Sequence, residues 1–148
     1  MANPRLILKI AVGPKKDSDG DKDASPVSEP FVCELISRIF TTRNLLHFAH
    51  WNTRSFASHM ALGDLYDAVV DDIDEIVEVY QGKYGLIDDL KCDGATLPDN
   101  ITGRVKEDAK WVEKNRSKIS GGDTAIENLI DTLIGHIHKT VYKLENLH

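Results

Sequence analysis

Three of the six histidines in the chain lie close together, at positions 47, 50 and 59. His47 and His50 are three residues apart, and His59 follows a short break around Asn52–Ser55. Imidazole nitrogen is a good ligand for first-row transition metals such as iron and zinc. This stretch is therefore the first candidate for a metal site.

A ladder of carboxylates follows the histidines. Asp67, Asp71, Asp74 and Glu78 are spaced by four, three and four residues, so they share one stripe of a helix. Like charges at this spacing repel each other by about 0.2–0.5 kcal/mol per pair. Three explanations stay open: a solvated acidic face, a stripe that collects cations or lines a metal site, and pairing with basic residues of another helix.

Three weaker motifs favour ordinary roles. His136 and His138 are two residues apart, so they point to different sides of a helix. Glu145 and His148 have the Glu-x-x-His spacing of di-iron helices, but this spacing occurs once and at the end of the sequence. The alternating acids of residues 17–23 resemble a calcium loop, yet the glycine is in the fourth place rather than the sixth, which favours a solvated linker.

Apolar residues recur every three or four positions in four segments, which is the period of an amphipathic helix. Ser28 as N-cap and Pro30 in the first turn indicate where the first helix begins, and Asp123 caps the last. Gly82 and Gly85 are predicted to end the second helix. We predict helices over residues 31–51, 56–83, 102–119 and 124–147.

Four such helices predict an all-α four-helix bundle that forms one domain over residues 31–148. The second and third helices are joined by a long connection, residues 85–100, which is expected to cross the bundle. Leu86, Ile87 and Leu90 predict one short helical turn within it.

The composition and the N-terminal residues limit the function classes. Residues 1–30 carry balanced charges and several glycines and prolines, so we expect a mobile tail. The net charge of -6 argues against an extended phosphate-binding surface, and no apolar run approaches the roughly 18 residues of a membrane span. Cys33 and Cys92 show no zinc-site spacing, which favours a reducing, cytoplasmic setting.

The histidines and acids together resemble those of the Dps-type mini-ferritins, a branch of the ferritin-like superfamily. The resemblance covers about residues 31–147 and implies a ferritin-like bundle that assembles from dimers into a hollow dodecamer. It also implies that such an assembly oxidises Fe(II) with peroxide or dioxygen and stores it as ferric mineral. The matching motifs are His50-Trp51-Asn52, then Phe56, then His59-Met60, and then Asp74-x-x-x-Glu78.

The resemblance assigns the iron ligands to two chains. His50 and His59 of one subunit would face Asp74 and Glu78 of another, in a ferroxidase site at a twofold interface. Asp67, two turns beyond His59, is the least favoured further ligand. The remaining members of the stretch, His47, Asp64 and Asp72, are expected to be ordinary helix residues.

The chain departs from the family pattern in two places. The turn between the histidines is a few residues shorter, and Gly63 stands one turn after His59, where the family has an Asp. The ligands that remain can hold one iron rather than two. The alternative is therefore a relative that keeps the fold and the assembly, lacks ferroxidase activity, and has a structural or partner-binding role. DNA is not an expected partner, because acids neutralise the basic residues of the tail.

Overall fold

The structure is a computed structural model that describes residues 26–88 and 90–148. These ranges contain four α-helices and no strand. The helix bounds agree with the predicted ones to within two residues, which confirms the all-α fold. The predicted mobile tail lies largely outside the described residues. The helices are α1 Glu29–Asn52, α2 Phe56–Tyr84, α3 Ile101–Ser120 and α4 Thr124–Asn146.

Each helix packs against two neighbours. α1 and α4 each contact both α2 and α3, so they occupy opposite corners of the bundle. Lys83 pairs with Asp123 at one end of the α2–α4 contact, and Lys143 pairs with Asp64 at the other end, so these helices are antiparallel. The chain is therefore a four-helix bundle with one long crossover, between α2 and α3.

The core is built from the apolar faces that the sequence predicts. Burying an aliphatic side chain contributes roughly 1.5–3 kcal/mol, so these faces supply the main driving force for folding. Tyr66 of α2 is only half-buried and packs beside α1. The largest fully buried side chains include Leu35, Leu46, Leu62, Ile73, Ile76, Tyr80, Ile119, Ile126, Ile130 and Leu133.

Two predicted helix ends differ in detail. Ser28 is at the N-cap position of α1, but its side chain does not cap the helix. Its hydroxyl is instead hydrogen-bonded to the buried hydroxyl of Tyr80, at 2.7 Å, which satisfies both polar groups. Gly82 does not end α2, because the helix continues to Tyr84 and stops at Gly85, whose φ of 96° suits glycine.

The described residues of the long connection lie along α1. The backbone N–H of Asp88 bonds to Glu29 near the start of α1, and the hydroxyl of Thr41 bonds to the carbonyl of Asp93 farther along the helix. The predicted helical turn is wrong for residues 85–88 and 90, none of which is helical, and of its three apolar residues only Ile87 is buried. The connection must span roughly 30 Å to reach the start of α3, and a helical turn would shorten it.

The charged side chain of Asp108 is almost fully buried between two helices. Asp108 of α3 is 1 % exposed and accepts hydrogen bonds from Thr42 at 2.5 Å and from Arg104 at 3.0 Å. Arg38 of α1 lies 3.4 Å away. The carboxylate therefore ties α1 to α3 while its charge is balanced. None of the helices in the two described ranges is long and apolar enough to cross a membrane.

Candidate metal centre

A short turn between α1 and α2, residues 53–55, brings two histidines together. The hydroxyl of Ser55 accepts a hydrogen bond from the backbone N–H of Ser58, at 3.1 Å, and so caps the start of α2. Because the turn is short, the last turn of α1 lies beside the first turn of α2. His50 and His59 meet at this point.

His50 and His59 hold each other through reciprocal hydrogen bonds to the backbone. Nδ1 of His50 lies 2.8 Å from the carbonyl oxygen of His59, and Nδ1 of His59 lies 3.0 Å from the carbonyl oxygen of His50. The rings are stacked, with centroids 3.6 Å apart and planes inclined by 24°. A carbonyl oxygen can only accept, so both Nδ1 atoms carry the proton and donate it.

In the neutral form of an imidazole ring, this bonding leaves Nε2 with a free lone pair. Neither Nε2 atom has a hydrogen-bond partner among the residues that the structure describes. Metal-binding histidines characteristically donate their other ring N–H to a carbonyl or a carboxylate, which fixes the tautomer and the ring orientation. The pair therefore has the tautomer and the backbone support that a two-histidine metal site requires.

Residues of both helices pack around the His50 ring. Tyr66 lies edge-on to it, with centroids 5.3 Å apart, and the His47 ring stacks on Tyr66 at 4.2 Å. The His47 ring also lies 4.2 Å from that of Trp51, so it belongs to an aromatic cluster. Gly63 approaches from α2: a Cβ atom built there would be 3.3 Å from Cε1 of His50.

Large apolar side chains surround the turn and are exposed. Trp51 and Phe56 are 66 % and 79 % exposed, and Phe48 and Met60 are about half exposed. The rings of Phe48 and Trp51 are neighbours, with centroids 6.1 Å apart. We call these four residues the apolar patch. Exposed apolar surface that is grouped in this way marks places where another molecule binds.

The acidic stripe of α2 consists of Asp67, Asp71, Asp74 and Glu78, all of them exposed. In the described ranges none of the four carboxylates has a hydrogen bond or an ion pair. Two neighbouring acids differ from those of the stripe in having partners: Asp64 pairs with Lys143 and Asp72 with His136, each at 2.7 Å. Pairing with another helix thus accounts for those two acids but, within these ranges, not for the stripe.

The histidine pair and the acids of the stripe lie far apart in one chain. His59 and Asp74 are separated by 15 positions of the same helix, which corresponds to roughly 22 Å along its axis. Glu78 lies one further turn away. Accordingly, within residues 26–88 and 90–148 no three His, Cys, Asp or Glu side chains are grouped to hold a metal ion.

The remaining histidine motifs do not form a site in the described part of the chain. His136 faces Asp72 of α2 and His138 bonds to Glu113 of α3 at 2.7 Å, which confirms that they point to different sides. Glu145 pairs with Lys106, and α4 ends before His148, so the Glu-x-x-His spacing is not helical throughout.

Sequence reasoning missed two features of the centre. The reciprocal histidine bonds depend on the backbone of the turn, for which the sequence carries no specific signal. The approach of Gly63 to His50 could have been suspected, because a glycine inside a strongly periodic helix usually has a packing reason. Tyr66, three residues later, lies against the same ring.

The fold and the site define the class of protein: it is a helical bundle with one crossover, a histidine pair and a separate carboxylate stripe. The chain belongs to DUF5856, a family of unknown function, whose family model matches residues 50–144. The match begins at His50 and includes both histidines of the pair and the whole acidic stripe. No curated protein and no solved structure matches the chain significantly.

Proposed function

We propose that this protein is a Dps-like, ferritin-type iron-binding protein that oxidises Fe(II) and stores it as ferric mineral, which protects against oxidative damage. The observation that carries the proposal is the stacked pair of His50 and His59. Both rings are held as the Nδ1–H tautomer by backbone carbonyls, and both keep Nε2 for a metal. The crossover bundle supports the proposal, since ferritin-like proteins share this connectivity.

The complete site in this proposal requires two chains. The histidines and the acids are roughly 22 Å apart along α2, whereas ligands of one iron ion lie within a few ångströms of each other. If two copies of α2 pair antiparallel about a twofold axis, the histidine end of one helix meets Asp74 and Glu78 of the other. The axis then passes near Asp67, the least favoured ligand. The outward direction of the stripe and the exposed apolar patch both suit this contact.

The residues divide the chemistry between them. Neutral imidazole nitrogens of His50 and His59 bind the incoming Fe(II), and carboxylates stabilise the Fe(III) that forms. Each Fe(II) gives up one electron, and hydrogen peroxide or dioxygen accepts the electrons together with protons from water. The acids of the stripe that do not bind the metal attract further cations towards the site.

The assembly and the setting are part of the same proposal. Dimers formed through the α1–α2 face would build a closed shell, dodecameric as in the Dps-type proteins that the sequence resembles. The cytoplasm is the setting that we propose, because it supplies Fe(II) and keeps Cys33 and Cys92 reduced.

The direct test is iron oxidation by the purified protein. The metal-free protein is mixed with Fe(II) under air and with peroxide, and the ferric absorbance is followed. We expect a rate well above that of the buffer, with most of the difference lost in His50→Ala. The variant His138→Ala is the matched control, because His138 is exposed and, among the described residues, bonds only to Glu113. A rate equal to the buffer rate, or an unaffected His50→Ala variant, would refute the ferroxidase activity.

The alternative function is a ferroxidase-inactive relative that keeps the fold for a structural or partner-binding role. The apolar patch favours it, because exposed aromatic residues can bind a partner without any metal. This alternative predicts an oligomer by light scattering and no tight binding of a divalent metal ion. Tight binding that depends on both histidines would contradict it.

A further inference from the structure

Gly63 lies inside α2, where a glycine is costly. A glycine in a helix interior is less favourable than alanine by about 1 kcal/mol. The position is within hydrogen-bonded helix, and the residue does not have a positive φ, so backbone conformation does not require glycine. What distinguishes Gly63 is its surroundings: an added Cβ would lie 3.3 Å from Cε1 and 3.4 Å from Nδ1 of His50.

The His50 ring has little room to move away from such a Cβ. Its Nδ1 is bonded to the carbonyl of His59 at 2.8 Å, and its face is stacked on the His59 ring at 3.6 Å. Tyr66 contacts it edge-on. A contact of 3.3 Å is tight for a carbon atom, so a side chain at Gly63 would displace the ring by a few tenths of an ångström. Such a shift strains the Nδ1 hydrogen bond and the stack together.

We propose that Gly63 is a positioning residue for the metal centre, acting through His50. The absence of a side chain lets α2 approach the ring closely enough for the two histidines to stack, with Nδ1 of His50 on the carbonyl of His59 and Nε2 left for a metal ion. The inference rests on the proposed function, and it gives the reason for a glycine where the resemblance leads one to expect an aspartate. The two-histidine pair replaces the missing carboxylate as the organising feature of the site.

A positioning role for Gly63 and the alternative, in which Gly63 stands where a metal ligand has been lost, predict opposite effects of one substitution on metal affinity. If Gly63 marks a lost ligand, Gly63→Asp restores it and strengthens metal binding. If Gly63 is a positioning residue, Gly63→Asp and Gly63→Ala both disturb His50 and weaken binding. Substitutions that disturb the support of metal ligands typically lower affinity by about 10- to 100-fold, and we expect that range here.

The experiment measures Co(II) binding to the full chain by its visible absorbance, with Co(II) as an air-stable substitute for Fe(II). Gly82→Ala is the matched control: Gly82 lies in the same helix, and a Cβ there meets nothing within 4 Å. We expect wild type and Gly82→Ala to bind alike, and Gly63→Ala and Gly63→Asp to bind 10- to 100-fold more weakly. Long-range proton–nitrogen NMR spectra should show that His50 loses its Nδ1–H tautomer in both Gly63 variants.

The outcomes distinguish a failure of the proposed function from a failure of the positioning role of Gly63. If wild type does not bind Co(II), the proposed function fails and the inference fails with it. If wild type binds and Gly63→Ala binds equally well with the His50 tautomer unchanged, only the positioning role is overturned. Tighter binding by Gly63→Asp would establish the lost-ligand explanation in its place.

Discussion

Mixing two inactive variants tests whether the metal centre is shared between chains. The first variant, His50→Ala with His59→Ala, lacks the histidine pair but keeps the acids. The second, Asp74→Asn with Glu78→Gln, keeps the histidines and loses the acids without a large change of volume. Because each proposed site takes histidines from one chain and acids from another, neither variant alone can form a complete site.

The expected recovery follows from the geometry. The histidines and acids of one chain are roughly 22 Å apart along α2, so a site cannot close within a chain. Random pairing of equal amounts gives about half mixed dimers, and each mixed dimer contains one complete site out of two. A mixture of the two variants should therefore bind about one quarter of the metal bound by wild type. The fraction does not depend on the size of the shell, because every twofold contact obeys the same statistics.

Co(II) titration of co-refolded chains measures this recovery, with light scattering to establish that the mixture assembles. Glu75→Gln with Asp64→Asn is the matched acid control on α2, since both residues lie outside the stripe, and it should bind like wild type. If the mixture binds no more Co(II) than the two variants refolded separately, the shared site is refuted. Wild-type binding by either variant alone would refute the assigned ligands.

Two further predictions concern stability. Asp108→Asn should lower the free energy of unfolding by about 2 kcal/mol, because it removes the charge that strengthens the hydrogen bonds from Thr42 and Arg104. Glu113→Gln removes an exposed pair and should cost less than about 1 kcal/mol, so equal effects in urea unfolding would contradict this ranking. The hydrogen bond from Lys83, and after it those from backbone N–H groups, hold the pKa of Asp123 below its ordinary value of 3.8. The ionised carboxylate of Asp123 therefore stabilises the fold above that pH, and this stabilisation is lost as the pH falls. Asp123→Asn should therefore lose less stability than wild type between about pH 6 and about pH 3, and an identical loss would show that this carboxylate is not involved.

The helices were predictable because each one carries its own local signals. The 3.6-residue period of apolar positions fixes the buried faces, and a capping residue such as Asp123 fixes a helix start. Ser28 shows where local reasoning stops: its hydroxyl bonds to Tyr80, 52 residues later, instead of capping α1. The long connection is a second case in which local reasoning fails. The distance that it must span overrides the helical tendency of Leu86, Ile87 and Leu90.

The candidate site was predictable in composition but not in arrangement. Residue types and spacing pointed to His50 and His59 and to the acids of α2, and the structure places the two histidines in contact. Their reciprocal bonds to each other's carbonyls depend on how two helices meet across the turn. Such a tertiary relation has no periodic signature, so it could not be read from the sequence. The same applies to the space that Gly63 leaves for the His50 ring.

The distribution of ion pairs distinguishes α2 from the opposite side of the bundle. On α3 and α4, Arg116 pairs with Glu127 and Asp131, and His138 pairs with Glu113. Several carboxylates there find partners within the chain, as Asp64 and Asp72 of α2 do towards α4. The four acids of the stripe have none within the described ranges, although side-by-side acids repel each other.

Repulsion of a few tenths of a kcal/mol per pair is small enough for a solvated stripe to be tolerated, so charge alone does not decide its role. The deciding feature is its relation to the histidine pair. The pair forms where α1 ends and α2 begins, and the stripe lies farther along α2. Both are open to partners beyond those that the described residues supply, yet the length of α2 keeps them apart. An antiparallel contact between two copies of α2 would bring His50 and His59 of one chain to Asp74 and Glu78 of the other. For this reason the measurement that separates the explanations is metal binding by mixed chains, because a merely solvated stripe would give no recovery.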